Sequence, residues 1–338
     1  MKYRLLGKTG LLVSELCLGT MTFSGKGFWE VIGKVGQDAA TEIVARSLDA
    51  GINFIDTANV YSQGESETML GQALAGRPRD SVIIATKVRG RMSDGVNDVG
   101  LTRHQIMSSV EASLKRLNTD YIDLYQIHGY DPVTPLEETM RALNDLVQQG
   151  KVRYIGASNL AAWQLMKSLA ISDHNGWSRF VSTQSYYTIA GRDLEREVIP
   201  LVQDQGVGVL VWSPLAGGLL SGKFNRDGSA PDGSRRVNFD FPPVNKDRAF
   251  DCVDVMREIA AEQGVTVAQI ALAWLLHQPA VTSVIIGAKH LDQLEDNLLS
   301  VQVKLTDEQL KCLNDVSQLP LEYPGWMIER QAGDRFSN

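Results

Sequence analysis

Residues 101–158 read LTRHQIMSSVEASLKRLNTDYIDLYQIHGYDPVTPLEETMRALNDLVQQGKVRYIGAS, and two patterns alternate along them. Over 101–118, Ile106, Val110, Leu114 and Leu117 recur at three- and four-residue steps, which lines them up on one helix face. IDLYQIH (122–128) is a short, largely apolar run of strand type. PLEETMRALNDLVQQG (135–150) returns to helix spacing, opening on Pro and closing on Gly as helix ends prefer. YIGAS (154–158) is strand-like again. Strand, helix, strand in that order predicts parallel strands joined by crossover helices.

The alternation extends in both directions. SELCLG (14–19), NFID (53–56) and VIIATK (82–87) precede this stretch; VSTQS (181–185), VGVLVWS (207–213) and TSVIIG (282–287) follow it. These runs are short, rich in Val and Ile and mostly continuous, as strands covered on both faces are. Helical patterns lie at 39–51, 66–76 (with Ser66 as its cap), 192–206, 250–264, 266–278 and 290–300. Eight strands with intervening helices predict a (β/α)8 barrel. An open doubly wound sheet is the alternative, but the first strand ends in Gly19-Thr20-Met21 without a G-x-G-x-x-G fingerprint. KYRLLGKTGLLVS (2–14) reads as a hairpin ahead of the barrel, and an extra helix and tail close the chain. The loop 217–248, rich in Gly, Pro, Arg and Asp, has a length typical of functional or mobile segments. With no repeat or linker evident, residues 1–338 are taken as one domain.

Composition narrows the function. The 338 residues are 43% hydrophobic with a net charge of -7, and no basic run suggests nucleic acid or a membrane surface. The opening MKYRLLGKTGLLVSELCLG has no uninterrupted apolar core of signal-peptide length, and no stretch approaches a transmembrane helix. Cys17, Cys252 and Cys312 are too scattered for a disulfide framework or a zinc motif and are read as small core residues. A cytoplasmic location is expected.

In a (β/α)8 barrel the chemistry collects where the strands end. Asp56, Lys87 and His128 close three consecutive strands, with Tyr61 five residues past Asp56. Singly, Asp56 reads as a helix cap, Lys87 as a solvated cation, His128 as a core histidine and Tyr61 as a loop aromatic. At successive strand ends they converge on one rim.

Together the segments DTANVYSQGESE, IIATK, YQIHGYDP, IGASN, TQSYY, WSPLAGGLLSGK and IIGAKHLDQLEDN, in this order along nearly the whole chain, resemble the aldo-keto reductase family. The resemblance implies a (β/α)8 barrel, NADPH or NADP+ as cofactor, and reduction of an aldehyde or ketone. It implies a catalytic tetrad of Asp56, Tyr61, Lys87 and His128. Tyr61 would give the proton, Lys87 would lower its pKa, Asp56 would hold Lys87, and a neutral His128 would orient the carbonyl. Gly19, Thr20, Met21 and Asp56 are carried over as cofactor contacts. Ser158, Asn159 and Gln184 would hold the nicotinamide carboxamide, and Trp212 would stack on its ring. Ser213, Pro214, Leu215, Gly217 and Lys223 would embrace the pyrophosphate; Gly287, Lys289, Gln293, Asp296 and Asn297 would take the adenosine end. Lys289 near a helix N-terminus favours a 2′-phosphate, hence NADPH over NADH.

For the substrate pocket the candidates are Phe23, Phe28 and Trp29, the loop 89–101, Tyr187 and Trp326. Two other functions stay open. One is a cofactor-binding regulatory subunit, because the potassium-channel β subunits share the resemblance, although they carry Asn at the position of His128. The other is a metal-dependent hydrolase, against which His104, His128, His174, His277 and His290 show no ligand spacing. The oligomeric state is not legible.

Overall fold

The computed structural model describes residues 1–231 and 233–336, with side chains of 335 and 336 excepted. Eight parallel strands close into a barrel: β3 (Leu16–Gly19), β4 (Phe54–Asp56), β5 (Ile83–Val88), β6 (Ile122–Ile127), β7 (Val152–Ser158), β8 (Phe180–Tyr186), β9 (Gly208–Trp212) and β10 (Val281–Ile286), the last pairing back with β3. Each matches a run read from the sequence to within two residues. The hairpin β1 (Tyr3–Leu5) and β2 (Leu12–Ser14) stands outside this sheet, as expected.

Around the barrel run α1 (Gln37–Asp49), α2 (Glu65–Ala73), α3 (Arg103–Leu117), α4 (Leu136–Gln148), α5 (Ala162–Asn175), α6 (Val198–Gln205), the short α7 (Arg235–Asn238), α8 (Lys246–Gln263), α9 (Val267–Leu276) and α10 (Leu291–Leu299). The helix α11 (Asp307–Ser317) is the expected extra one, and the tail carries a further helix, α12 (Gly325–Phe336). The sequence pattern predicts no helix at α5. Its apolar residues do not keep to one face: Leu165 and Leu169 are buried, but Trp163 and Met166 are exposed while Ser168 and Ser172 are buried.

The pleat of the strands divides the core in two. Ile84, Val88, Tyr125 and Ile127 face outward into the layer under the helices. Cys17, Phe54, Ile83, Ala85, Leu124 and Leu210 face inward and meet Leu6 and Val13 of the hairpin region. Two assignments need correction. Ser66 is not a cap: Gly64, at φ 94°, holds the cap position ahead of α2, and Ser66 is buried within the helix, donating to the Thr20 carbonyl. Cys312 is exposed rather than core.

Candidate active site

A cavity of about 910 Å³ opens where the strands end. Its floor follows from strand geometry. Side chains two residues apart share a face, so inward-facing Phe54, Ala85 and Leu124 place Asp56, Lys87 and Gln126 one step nearer the opening. Gln184 follows buried Ser182 in the same way.

Lys87 is fully buried and all three of its N–H bonds are assigned. Nζ donates to Asp56 Oδ2 at 2.6 Å, to the Thr57 carbonyl at 2.8 Å and to Tyr61 Oη at 3.2 Å. Burial works against its charge, but Asp56 and Tyr61 outweigh burial and hold the pKa above the ordinary lysine value. The other oxygen of Asp56 accepts from Gln184 Nε2 at 2.8 Å and Gln126 Nε2 at 3.1 Å.

Tyr61 opens a tight turn, Tyr61–Gly64, in which Ser62 and Gln63 take left-handed φ of 48° and 56°. Ser62 Oγ donates to the Phe23 carbonyl, which ties this turn to the loop after β3. The tuning of Tyr61 departs from the sequence expectation. Burial raises its pKa, and the opposing Lys87 cation does not reverse this, so the phenol sits above its ordinary value. His128 lies edge-on to Tyr61 with ring centroids 5.7 Å apart. Burial, then Lys87 and Arg89, hold its pKa well below the usual histidine value, so the ring is neutral, as expected.

The cavity wall contains Gly19, Met21, Ser158, Asn159, Gln184, Trp212, Ser213, Pro214, Leu215, Gly217, Lys223, Gly287, Lys289, Gln293, Asp296 and Asn297. Thr20 is the exception among the carried-over residues; it is fully buried, its hydroxyl against Ser66 Oγ at 2.7 Å. Trp212 donates to Asn159 Oδ1 at 3.0 Å and lies nearly parallel to Phe241, centroids 6.0 Å apart. Gly217 has φ 68°, and a Cβ there would lie 2.5 Å from the Phe241 carbonyl, so only glycine lets the long loop fold back this closely.

That loop brings a residue the sequence reading missed. Arg235 joins Lys223 and Lys289 in the wall. No ion pair links these three to a carboxylate among the described residues. Burial, and then repulsion from Lys223 and Arg235, lowers the Lys289 pKa. Burial and Arg236 bring Arg235 down to about 10, and its Nε is buried without a hydrogen-bond partner among the described residues. Mutually repelling cations around a cavity describe a receptor for an anion.

Of the proposed pocket residues, Phe28 and Trp29 line the cavity. Phe23 is core; Tyr187 packs on Trp274 and donates to Glu195; Trp326 is exposed on α12 away from the cavity. The loop 89–101 contributes nothing to the wall. Ile32, Phe239 and Phe241 stand there instead, and Phe28 meets Phe239 edge-on at 5.4 Å, joining the two loops over the opening.

The aldo/keto reductase family profile matches residues 15–318. This chain belongs to the aldo/keto reductase family. Its members generally bind a nicotinamide cofactor, usually NADPH. Among similar proteins, the uncharacterized oxidoreductase YrpG of Bacillus subtilis is 39% identical, covering 94% of this chain and 96% of its own. The versiconal hemiacetal acetate reductase of Aspergillus parasiticus is 37% identical, covering 96% and 99%. A probable voltage-gated potassium channel subunit beta of Arabidopsis thaliana is 37% identical, covering 90% and 92%. The protein is an oxidoreductase of this aldo/keto reductase type.

Proposed function

We propose that this aldo/keto reductase is a cytoplasmic, single-domain enzyme that reduces an aldehyde or ketone to an alcohol with NADPH, Tyr61 giving the proton. One observation carries the assignment of Tyr61. Because Lys87 donates to its oxygen, the phenolic hydrogen is left to point elsewhere, and the cavity adjoins it. With its pKa raised, Tyr61 keeps that proton at neutral pH and can donate it. Neutral His128 offers a ring N–H to the same carbonyl oxygen, where charge develops. When bound, a reduced nicotinamide supplies the hydride.

The wall fits such a cofactor. Ser158, Asn159, Gln184 and Trp212 would hold its nicotinamide end, and Lys223, Arg235 and Lys289 its phosphates. Three cations with no carboxylate partner among the described residues exceed what one pyrophosphate needs, which favours a third phosphate and hence NADPH over NADH. The mouth formed by Phe28, Trp29, Phe239 and Phe241 suits a flat apolar carbonyl compound better than a sugar. The Aspergillus relative, named a reductase, agrees with this direction.

The test is NADPH oxidation against aromatic aldehydes, aliphatic ketones and aldoses, with Tyr61→Phe beside the wild type. Turnover is expected on the aromatic compounds, and its loss in Tyr61→Phe with NADPH binding intact. Near-full activity in that variant would overturn the assignment. The similarity to a channel β subunit favours a second reading, a cofactor-binding regulatory subunit. Tight NADPH binding without turnover on the whole panel would select it.

A further inference from the structure

Gln126 is the one fully buried polar side chain of β6 that faces the barrel interior, a layer above apolar Leu124. A buried amide is costly unless it is bonded, and a leucine would fill similar space. Room is made for this amide: on the neighbouring strand, a Cβ at Gly156 would lie 3.1 Å from Gln126 Cγ and 2.9 Å from Ser182 Oγ. Its Nε2 reaches Asp56 Oδ1 at 3.1 Å. Its Oε1 lies 3.4 Å from Gln184 Nε2, which itself donates to the same Asp56 oxygen at 2.8 Å. Two amides therefore close on one oxygen of Asp56, while Lys87 holds the other.

We propose that Gln126 is a positioning residue for proton donation, fixing Asp56 in the rotamer that directs Lys87 at Tyr61. This rests on the reading of Tyr61 as proton donor. Donors on Oδ1 favour the ionised carboxylate and stop it from turning. Asp56 Oδ2 and the Thr57 carbonyl then leave Lys87 one N–H, aimed at Tyr61. Without Gln126, Asp56 keeps a single amide partner and swings, and Lys87 follows it. Gln184, which lines the cavity as well as touching Asp56 and Gln126, loses its brace in the same event.

The test uses Gln126→Leu and Gln126→Glu in NADPH-dependent reduction of 4-nitrobenzaldehyde from pH 5.5 to 9.5, with thermal unfolding of the cofactor-free proteins. Losing a hydrogen bond to a charged group predicts a fall in kcat of about 10- to 100-fold for Gln126→Leu, with KM for the aldehyde within about twofold on the same argument and a smaller change in the Kd for NADPH than in kcat, through Gln184. In Gln126→Glu two carboxyls share the site, which raises the pKa of one of them, so it holds a proton in the lower part of this pH range and loses it in the upper part. Protonated, it donates to Asp56; kcat should then climb back towards wild type as pH falls, a signature packing alone does not give. In the unfolding arm, Gln126→Leu lowers Tm in the wild-type background but not in Asp56→Ala, because the partner is gone.

A Gln126→Leu enzyme with wild-type kcat and pH profile would overturn the proposal, as would an equal loss of Tm in both backgrounds. If Gln126→Leu does not fold, Gln126→Glu carries the test, and a flat pH response in it is the overturning result. Failure of the Tyr61 assignment shows separately, as an active Tyr61→Phe, and leaves the unfolding cycle to decide the Gln126–Asp56 link.

Discussion

Where the barrel strands begin, Leu6 and Val13 of the hairpin region meet Cys17, Phe54 and Ile83 in an apolar plug. Where they finish, the same inward-facing rows carry Asp56, Lys87, Gln126 and Gln184. On β4, a single pleat separates Phe54 from Asp56, roughly 7 Å of strand. The first end gains stability by excluding water from apolar surface. The second holds a buried ion pair, which contributes little to stability unless every lone pair and proton is matched. Here all three Lys87 protons have acceptors and both Asp56 oxygens have donors. Changes at the first end should therefore register in stability alone, and changes at the second end chiefly in rate.

The largest expected effect is Tyr61→Phe, which should cut kcat by about 10²- to 10⁴-fold while Tm stays close to wild type. Steady-state kinetics with a melting curve checks both halves. Leu6→Ala should do the reverse. Removing a buried leucine from the plug costs about 2–5 kcal/mol of stability, measured by urea unfolding, with kcat unchanged. If Leu6→Ala slowed turnover tenfold in the folded protein, the two ends would not be independent.

Lys289→Ala sharpens the comparison within the upper end. It removes one cation of the trio in the cavity wall, so the Kd for NADPH should rise roughly tenfold, in line with a charge-assisted contact, while the Kd for NADH stays the same. Fluorescence titration with both nucleotides reads the difference. The smallest effect is in pH. His128 stays neutral in the folded protein because its pKa is depressed, whereas in the unfolded chain it takes a proton below about pH 6.5. The unfolded state then binds more protons, so stability falls as pH drops below that value, by at most about 1.4 kcal/mol per unit. Tm of His128→Gln should fall less than wild type between pH 6.5 and 5.

What could be read in advance divides along the same line. The strands were legible because continuous Val- and Ile-rich runs have few other uses, and the ends of those runs exposed Asp56, Lys87 and His128. Gln126 stood in full view within IDLYQIH, in step with Leu124 and His128, but a polar residue inside an apolar run gives no sign of its partner. Arg235 was hidden for another reason: only the folding back of the loop, with Gly217 against Phe241, delivers it to the cavity. Phe23 and Tyr187 were misplaced because an aromatic in a connecting segment packs inward as readily as it lines a pocket. The pKa of Tyr61 needed burial as well as neighbours, and burial is a property of the assembled barrel.

The pleat also governs how such a chain can change over generations. Insertions between strands lengthen loops and leave the floor intact. One residue gained or lost inside β5, ahead of Lys87, reverses the parity of everything after it. The lysine would then face the helices, and Thr86 or Val88 would stand in its place, with no residue of the site replaced. Descendants of this barrel are free to vary in loop length and composition, but the phase of each strand is inherited whole.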